Sequence, residues 1–346
     1  MIICVAVNEE TAETKLWDQY VAAHPLATGY HLLVWGRLIE KVFGHQTIYL
    51  MALDDNHQVR GVLPLVLLSS WLFGRFMVSL PYVNYGGVLA DDLETTNALL
   101  SEAISKAERL GVEHIELRHC KNFHLDWPKK EHKVSMRLDL PDTYDLLLKG
   151  FAPKLRSQIR RGEKEGMTAH VGQLQLLSDF YTVFSLNMRD LGTPVYGKQF
   201  FSKILQTLSD DVRIISVRLR ERPVAAGLVY GFRQMLEIPW ASSDRRYARL
   251  APNMLLYATV LKYACERKYK YFDFGRSSKN SGTYRFKEQW GAQPVQLNWH
   301  YWLPEGASLP QLNPQNQKYQ RAIRLWQQLP IPVTKILGPR IVKFLP

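Results

Sequence analysis

The chain has 346 residues, 46% hydrophobic and 22% charged, which is length enough for two domains and apolar content enough for a sizeable core. A formal net charge of +12 favours anionic partners, whether nucleic acid, phosphorylated substrates or an acidic membrane surface, without choosing among them. Three distant cysteines, Cys4, Cys120 and Cys265, argue against a disulfide framework and a zinc site and for a reducing compartment.

In chain order, the apolar run 1–7 is too short for a signal peptide, and Asn8, Glu9 and Glu10 follow it at once. Residues 14–42 carry helical spacing, broken into two helices at His24-Pro25. Residues 47–53 and 59–68 form a hairpin around Asp54-Asp55-Asn56-His57, and 76–85 is a third strand ending in Asn84-Tyr85-Gly86-Gly87. The apolar run 61–81 has the length of a bilayer span. Pro64, Ser69, Ser70, Gly74 and Arg75 interrupt it, so it reads as two buried strands around a turn. A helix at 95–110 stops at Gly111, and 113–119 and 133–140 are strands.

The second half repeats this order. Helices at 174–189 and 199–208 precede a hairpin, 212–219 and 224–232, around Glu221-Arg222. A strand at 235–242, a helix at 253–266 with Asn253 as N-cap, and strands at 269–274 and 295–302 follow. Ile115-Glu116-Leu117 and Phe272-Asp273-Phe274 fall at the same place in the two series. We read a tandem duplication of one α/β unit, with the boundary in 141–150. The expected domains are 1–140, 141–305 and a basic, apolar, proline-containing tail at 306–346.

Helix, hairpin, strand, helix, strand is the order of the GNAT acyltransferase fold, and two such units in tandem resemble the Fem-type peptidyltransferases. The segments Asn84-Tyr-Gly-Gly87, Arg156-Ser-Gln-Ile-Arg160, Asn187-Met-Arg-Asp-Leu-Gly-Thr-Pro194, Trp240-Ala-Ser-Ser243, Asp273-Phe-Gly-Arg-Ser277 and Tyr284-Arg-Phe-Lys-Glu-Gln-Trp-Gly291 resemble FemAB-like proteins of exosortase/PEP-CTERM and exopolysaccharide systems. The resemblance covers residues 15–303. It implies an α/β (α+β) fold of two tandem GNAT-like domains, each a mixed, mainly antiparallel sheet flanked by helices. It also implies transfer of an acyl or aminoacyl group to an amine of a cell-envelope or exopolysaccharide precursor. The donor would be acyl-CoA or aminoacyl-tRNA as co-substrate, with no tightly bound cofactor, in the cytoplasm or at the inner face of the membrane. One departure weakens the acetyl-CoA reading. The glycine-rich loop that acetyl-CoA-using members carry before the helix is replaced here by Arg245-Arg-Tyr-Ala-Arg-Leu-Ala-Pro-Asn253.

The densest functional stretch is 271–291. Asp273, flanked by Phe272 and Phe274, is the first candidate for general base or amine binding; its structural alternative is an ion pair or loop cap. Glu237, two residues before the ladder-breaking Pro239, is the second acid. Tyr284 and Lys287 complete the catalytic candidates, and Lys287, Tyr284 and Arg276 offer donors to an oxyanion or a phosphate. Arg189, Asp190 and Tyr196 either form a loop over a cleft between the halves, holding the acceptor, or close a helix end. Asn84, Tyr85, Trp240, Ser242 and Arg276 are the further substrate-binding candidates, and Arg245, Arg246, Arg249 and Asn253 the donor-phosphate candidates. The basic run 154–164 tracks phosphates of tRNA or a lipid-linked sugar, or is a solvated helix face. Histidines show no metal-ligand spacing, so no metal is expected. The tail, with a basic amphipathic helix at 318–328, either rests on an anionic membrane or packs back on the second domain. Prolines at 330, 332 and 339 forbid one long helix and favour packing. If chemistry is present, the second half carries it, and a non-catalytic pair that binds a glycan or peptide precursor is the alternative.

Overall fold

A computed structural model describes residues 2–7, 12–70, 73–120, 123, 125–310 and 317–345. Residues 311–316 of the tail expected at 306–346 lie outside them. The first stretch forms β1 (Ile3–Ala6), α1 (Ala12–Ala23), α2 (Leu33–Phe43), β2 (Gln46–Leu53), β3 (Val59–Ser70), β4 (Gly74–Val78), β5 (Leu89–Ala90), α3 (Leu93–Leu110), β6 (Ile115–His119) and β7 (Lys129–Lys130). Next come β8 (Lys133–Asp139), α4 (Tyr144–Gly150), α5 (Pro153–Lys164), β9 (Met167–Gly172), α6 (Leu177–Leu191), α7 (Lys198–Thr207), β10 (Val212–Leu219), β11 (Arg222–Phe232) and β12 (Met235–Ser243). A 3-10 turn, Arg245–Leu250, leads into α8 (Pro252–Glu266), β13 (Tyr271–Ser278), α9 (Gly282–Glu288), β14 (Gln293–Gln296), β15 (Asn298–Trp302), α10 (Gln317–Gln328) and α11 (Ile331–Val342). The result is a mixed α/β fold with two mainly antiparallel sheets flanked by helices.

The chain divides into two compact units. In the first, the sheet order is β1-β2-β3-β4-β6-β15-β7, with β5 on β3. Only β4–β6 runs parallel among its pairs. Residues 61–68 of β3 are all buried, which is why this apolar run is a sheet strand. No helix of the described residues is long and apolar enough to cross a membrane. One face of α3, with Leu99, Leu100, Ala103 and Ala107, packs on Leu50, Leu63, Leu65, Met77 and Ile115. Asp92 caps its start by accepting from the Thr95 amide at 2.8 Å, and Gly111 ends it at φ 61°.

In the second unit the order is β14-β8-β13-β12-β11-β10-β9, the same series as the first with β13 in the place of β6 and β12 in that of β4. Again β12–β13 is parallel and β9–β10, β10–β11 and β11–β12 are antiparallel. One face packs on α8 through Leu256, Val260, Leu261 and Ala264 against Val229, Leu236, Ile238, Phe272 and Phe274. The other receives α6, whose Phe180 and Phe184 pack with Phe201 of α7.

The outer neighbours of β6 and β13 are exchanged. The strand at 133–139, expected in the first domain, pairs beside β13, and the strand at 298–302, expected in the second, pairs beside β6. The structure therefore divides at 133/134 and 295/296 rather than by one cut near 140, and the described tail residues 317–342 belong to the second unit. An exchange keeps every strand's apolar period and its place in the order, so periodicity does not encode it. The expected N-cap also differs: Ala251, at φ 58°, caps α8, Pro252 is its first residue, and Asn253 its second.

Candidate functional site

β12 and β13 pair for three residues only, Met235↔Tyr271, Leu236↔Phe272 and Glu237↔Asp273. Beyond them β12 runs on to Ser243 and β13 to Ser278. On the other side of β12, Tyr230 faces Glu237 and Leu228 faces Trp240, so one residue of β11 spans two of β12, Ile238 and Pro239. Proline has no N–H for the ladder, and the extra residue bends the strand. The parallel pair thus opens at its last two partners, both buried acids.

Asp273 is closed to solvent, and three donors hold it. Its Oδ1 accepts from Ser135 Oγ at 2.5 Å and from the Gly275 amide at 2.8 Å, and its Oδ2 from Arg137 Nε at 3.2 Å. Ser135 and Arg137 reach it because Val134, Met136 and Leu138 of β8 face the core, which turns the alternate residues to the other face. The bond from Gly275 closes a tight turn at φ 76°, a conformation that glycine adopts without a Cβ penalty.

That turn presents two carbonyls to Lys287. Ser281 caps α9 by accepting from the Tyr284 amide, and the helix brings Lys287 back under β13. Lys287 Nζ donates to Gly275 O at 2.8 Å and Arg276 O at 3.0 Å. Burial lowers its pKa to about 8; Asp273 and Glu237 pull it up, and Arg276 pushes it down. Phe274, Phe286 and Trp290 pack around Tyr257 and fix α9 to the sheet. Ser277, also buried on the open part of β13, has a hydroxyl without a hydrogen-bond partner among the described residues.

The other expected residues are distributed as follows. Tyr284 packs half-buried on the core, and Arg276 is exposed. Trp240 packs with Tyr196, Phe200 and Phe201, and Ser242 Oγ accepts from Asn187 Nδ2 at 3.1 Å. Arg189 and Asp190 pair with each other at 2.8 Å at the end of α6, where Gly192 caps the helix. Arg245 and Arg249 are exposed on the 3-10 turn that connects β12 to the N-terminus of α8. Arg246 is engaged with Asp244, Nη2 to Oδ2 at 2.6 Å. Burial pushes the Asp244 carboxyl up, and the bonds from Arg246 more than offset it. Ser135 and Arg137 were not expected in the site, and Asn187 and Ser277 stood there only as members of the quoted motifs. The polar, apolar alternation of Lys133-Val-Ser-Met-Arg137 is the signal that marks the first two.

In the first unit the corresponding place is filled. Glu116 stands where Asp273 does, paired across from Val78. Arg118, 1% exposed, donates from Nε to Glu116 at 2.7 Å, and Tyr301 Oη donates to the other oxygen at 2.7 Å. Burial raises the Glu116 carboxyl, and Arg118 and Tyr301 together bring it below its ordinary value. Ser79 N donates to Glu116 O, Gly86 N and Gly87 N donate to Arg118 O, and Arg118 Nη1 donates to Val83 O at 2.9 Å. Asn84 and Tyr85 lie buried in this segment, the Tyr85 ring 5.5 Å from that of Tyr30.

Residues 150–288 match the family model of an acetyltransferase (GNAT) domain. No curated protein matches the chain. Among solved structures, FemX is similar at 16% identity and a TM-score of 0.63, covering 94% of this chain and 100% of its own. A tandem GNAT protein from the clavulanic acid biosynthesis pathway is similar at 12% identity and a TM-score of 0.56, covering 90% of this chain and 100% of its own. L-PGS from Bacillus licheniformis is similar at 14% identity and a TM-score of 0.55, covering 93% of this chain and 99% of its own. The chain shares its fold with these structures, FemX and the tandem GNAT protein among them, and its stretch 150–288 matches a GNAT domain.

Proposed function

We propose that the protein is an N-acyl- or aminoacyltransferase that works in its second unit. The observation that carries this is the opening of β12 from β13 at Glu237 and Asp273, with the buried ammonium of Lys287 held beside the turn. The acceptor amine attacks the acyl carbon of the donor, forming a C–N bond and a tetrahedral oxyanion. Collapse breaks the C–S bond of a thioester or the C–O bond of an aminoacyl ester. The amine proton passes to a base, and the leaving sulfur or oxygen takes a proton. Two N–H groups of Lys287 are spent on carbonyls, which leaves a third for the oxyanion. Glu237 is the base in this scheme. Asp273, first read as the base, instead holds the Gly275 turn and the charge of Lys287, because its oxygens already accept from three donors.

Arg245, Arg249 and the N-terminus of α8 are suited to donor phosphates, and Trp240, Ser242 and Tyr196 to the acceptor. The motif resemblance supports an amine-bearing cell-envelope or exopolysaccharide precursor, of the exosortase/PEP-CTERM setting, as acceptor in the cytoplasm. The donor is acyl-CoA or aminoacyl-tRNA. Purified protein given either donor and an envelope-precursor extract should transfer label to an amine. Lys287→Met and Glu237→Gln should each abolish most of that transfer. Binding of precursor without turnover of either donor, unaltered by both substitutions, would instead identify a non-catalytic assembly factor.

A further inference from the structure

The C-terminal helices carry an outer face that the transfer reaction does not use. After Glu305 the chain has no Asp or Glu, and it has six basic residues, Lys318, Arg321, Arg324, Lys335, Arg340 and Lys343. Both α10 and α11 pack on α6. Their inner faces are committed: Ile323 fills the space above Gly192, Gly338 lies against the backbone of Val195, and Gln327 Nε2 donates to Asp190 O at 3.0 Å. A Cβ on either glycine would meet atoms closer than van der Waals contact, so the close packing needs glycine there. The outer faces then present large apolar side chains to solvent, with Leu325 66% exposed, Ile336 61% and Leu337 38%. Arg321, Arg324 and Arg340 are exposed on the same helices, and no ion pair of the described residues reaches them.

We propose that the outer faces of α10 and α11 dock the protein on an anionic lipid bilayer. Leu325, Ile336 and Leu337 enter the apolar boundary, and Arg321, Arg324 and Arg340 meet lipid phosphates. An unbroken set of cations without acids fits a surface of one sign, and exposed aliphatic groups among them find a partner in acyl chains. A nucleic acid would use the cations and leave the aliphatic groups in water. This inference is independent of the transfer reaction.

Flotation of the full chain tests it, with phosphatidylcholine vesicles and with mixed phosphatidylcholine–phosphatidylglycerol vesicles. The protein should float with the mixed vesicles only, and less as salt rises. Neutralising two cations, Arg321→Gln with Arg324→Gln, should weaken partition about 30-fold. Leu325→Ser with Ile336→Ser should weaken it as well, and both variants should keep the circular dichroism spectrum of the parent. Arg160→Gln with Lys164→Gln, which removes the same charge from α5, should leave flotation unchanged. The proposal fails if the parent does not float, if it floats equally with neutral vesicles, or if the α5 control loses as much as the tail variant. Loss on the arginine variant with none on the serine variant would make the face a polyanion site and overturn the lipid reading.

Discussion

The two units place an acid at the same point of the same sheet order and then treat it oppositely. In the first, Glu116 is answered by Arg118 from its own strand, and the chain from Ser79 to Val88 folds over both. In the second, Asp273 is answered from a neighbouring strand by Ser135 and Arg137, and the stretch after Glu237 stays apart from β13. The charge that reaches the second opening is Lys287, delivered by α9. The lesson is that one sheet order can carry the same acid with and without an opening beside it, because a single arginine two residues along the strand is enough to fill it.

The largest effect on stability should come from unsealing the first unit. Arg118→Met removes one partner of a buried pair and leaves Glu116 with the Tyr301 hydroxyl as its side-chain donor among the described residues, at a cost of about 3–5 kcal/mol in chemical denaturation. Arg137→Met in the second unit should cost less, about 1–2 kcal/mol, because Arg137 is 27% exposed and Asp273 keeps two donors. Equal losses would mean that the two acids are held alike, and the contrast would fall.

The largest effect on transfer should come from Lys287. Lys287→Met should lower kcat by about 10²–10³, as loss of one oxyanion donor does, with stability kept or raised because a buried ammonium is removed. The pH dependence has a defined sign. Lys287 in the folded protein titrates at about 8, below its ordinary 10.5, so kcat should fall as pH rises through about 8. Between those values the unfolded chain holds the proton and the folded one does not, so stability gains with pH in that window, and K287M should lack the gain. A rate that is flat through this window would remove Lys287 from the chemistry.

A smaller, steric contrast concerns Gly87. An added Cβ there would lie 2.2 Å from the His119 ring, whose Nε2 accepts from the Val88 amide at 3.0 Å. Gly87→Ala should cost about 1–3 kcal/mol by overpacking and leave kcat unchanged, as expected if the first unit is structural. A drop in kcat at unchanged stability would give the first unit a part in turnover.

Much of this could be read before the structure. Alternation placed most of the core strands, and the matching of Glu116 with Asp273 located the equivalent point in both sheets. The donors to Asp273 were missed because β8 comes 138 residues earlier and was assigned to the other half. Strand exchange leaves the local pattern untouched, so nothing local signals it. Short edge strands such as β1 and the polar β9, Met-Thr-Ala-His-Val-Gly, carry too little apolar pattern to be found. Pro330 does fall between the two helices of the tail, but Pro332 sits in the first turn of α11 and Pro339 inside it, and the close packing near α6 depends on Gly192 and Gly338, whose small size is legible only once their neighbours are known.

The smallest expected effect tests the helix that leads into the acid-bearing strand of each unit. The first turn of α3 is occupied by its own acid: Asp92 accepts from Thr95 N, and Arg60 pairs with Asp91 and Asp92. The first turn of α8 has no side-chain cap, starts with Pro252, and follows the exposed Arg245 and Arg249. A helix N-terminus that already holds a carboxylate has no use for a second anion, whereas an uncapped one attracts a phosphate. Asn253→Asp would put an acid into the first turn of α8. It should raise the donor KM about two- to fivefold with kcat unchanged, the size of a charge at a helix end in water. Arg249→Ala should act by a similar amount, and the effect of both should shrink as salt rises. Arg246→Ala should instead lower stability, because Arg246 is bound to the buried Asp244 that caps the turn. If Asn253→Asp leaves the donor KM unchanged over the full salt range, the donor's phosphates bind elsewhere, and the contrast between the two helix ends is one of capping alone.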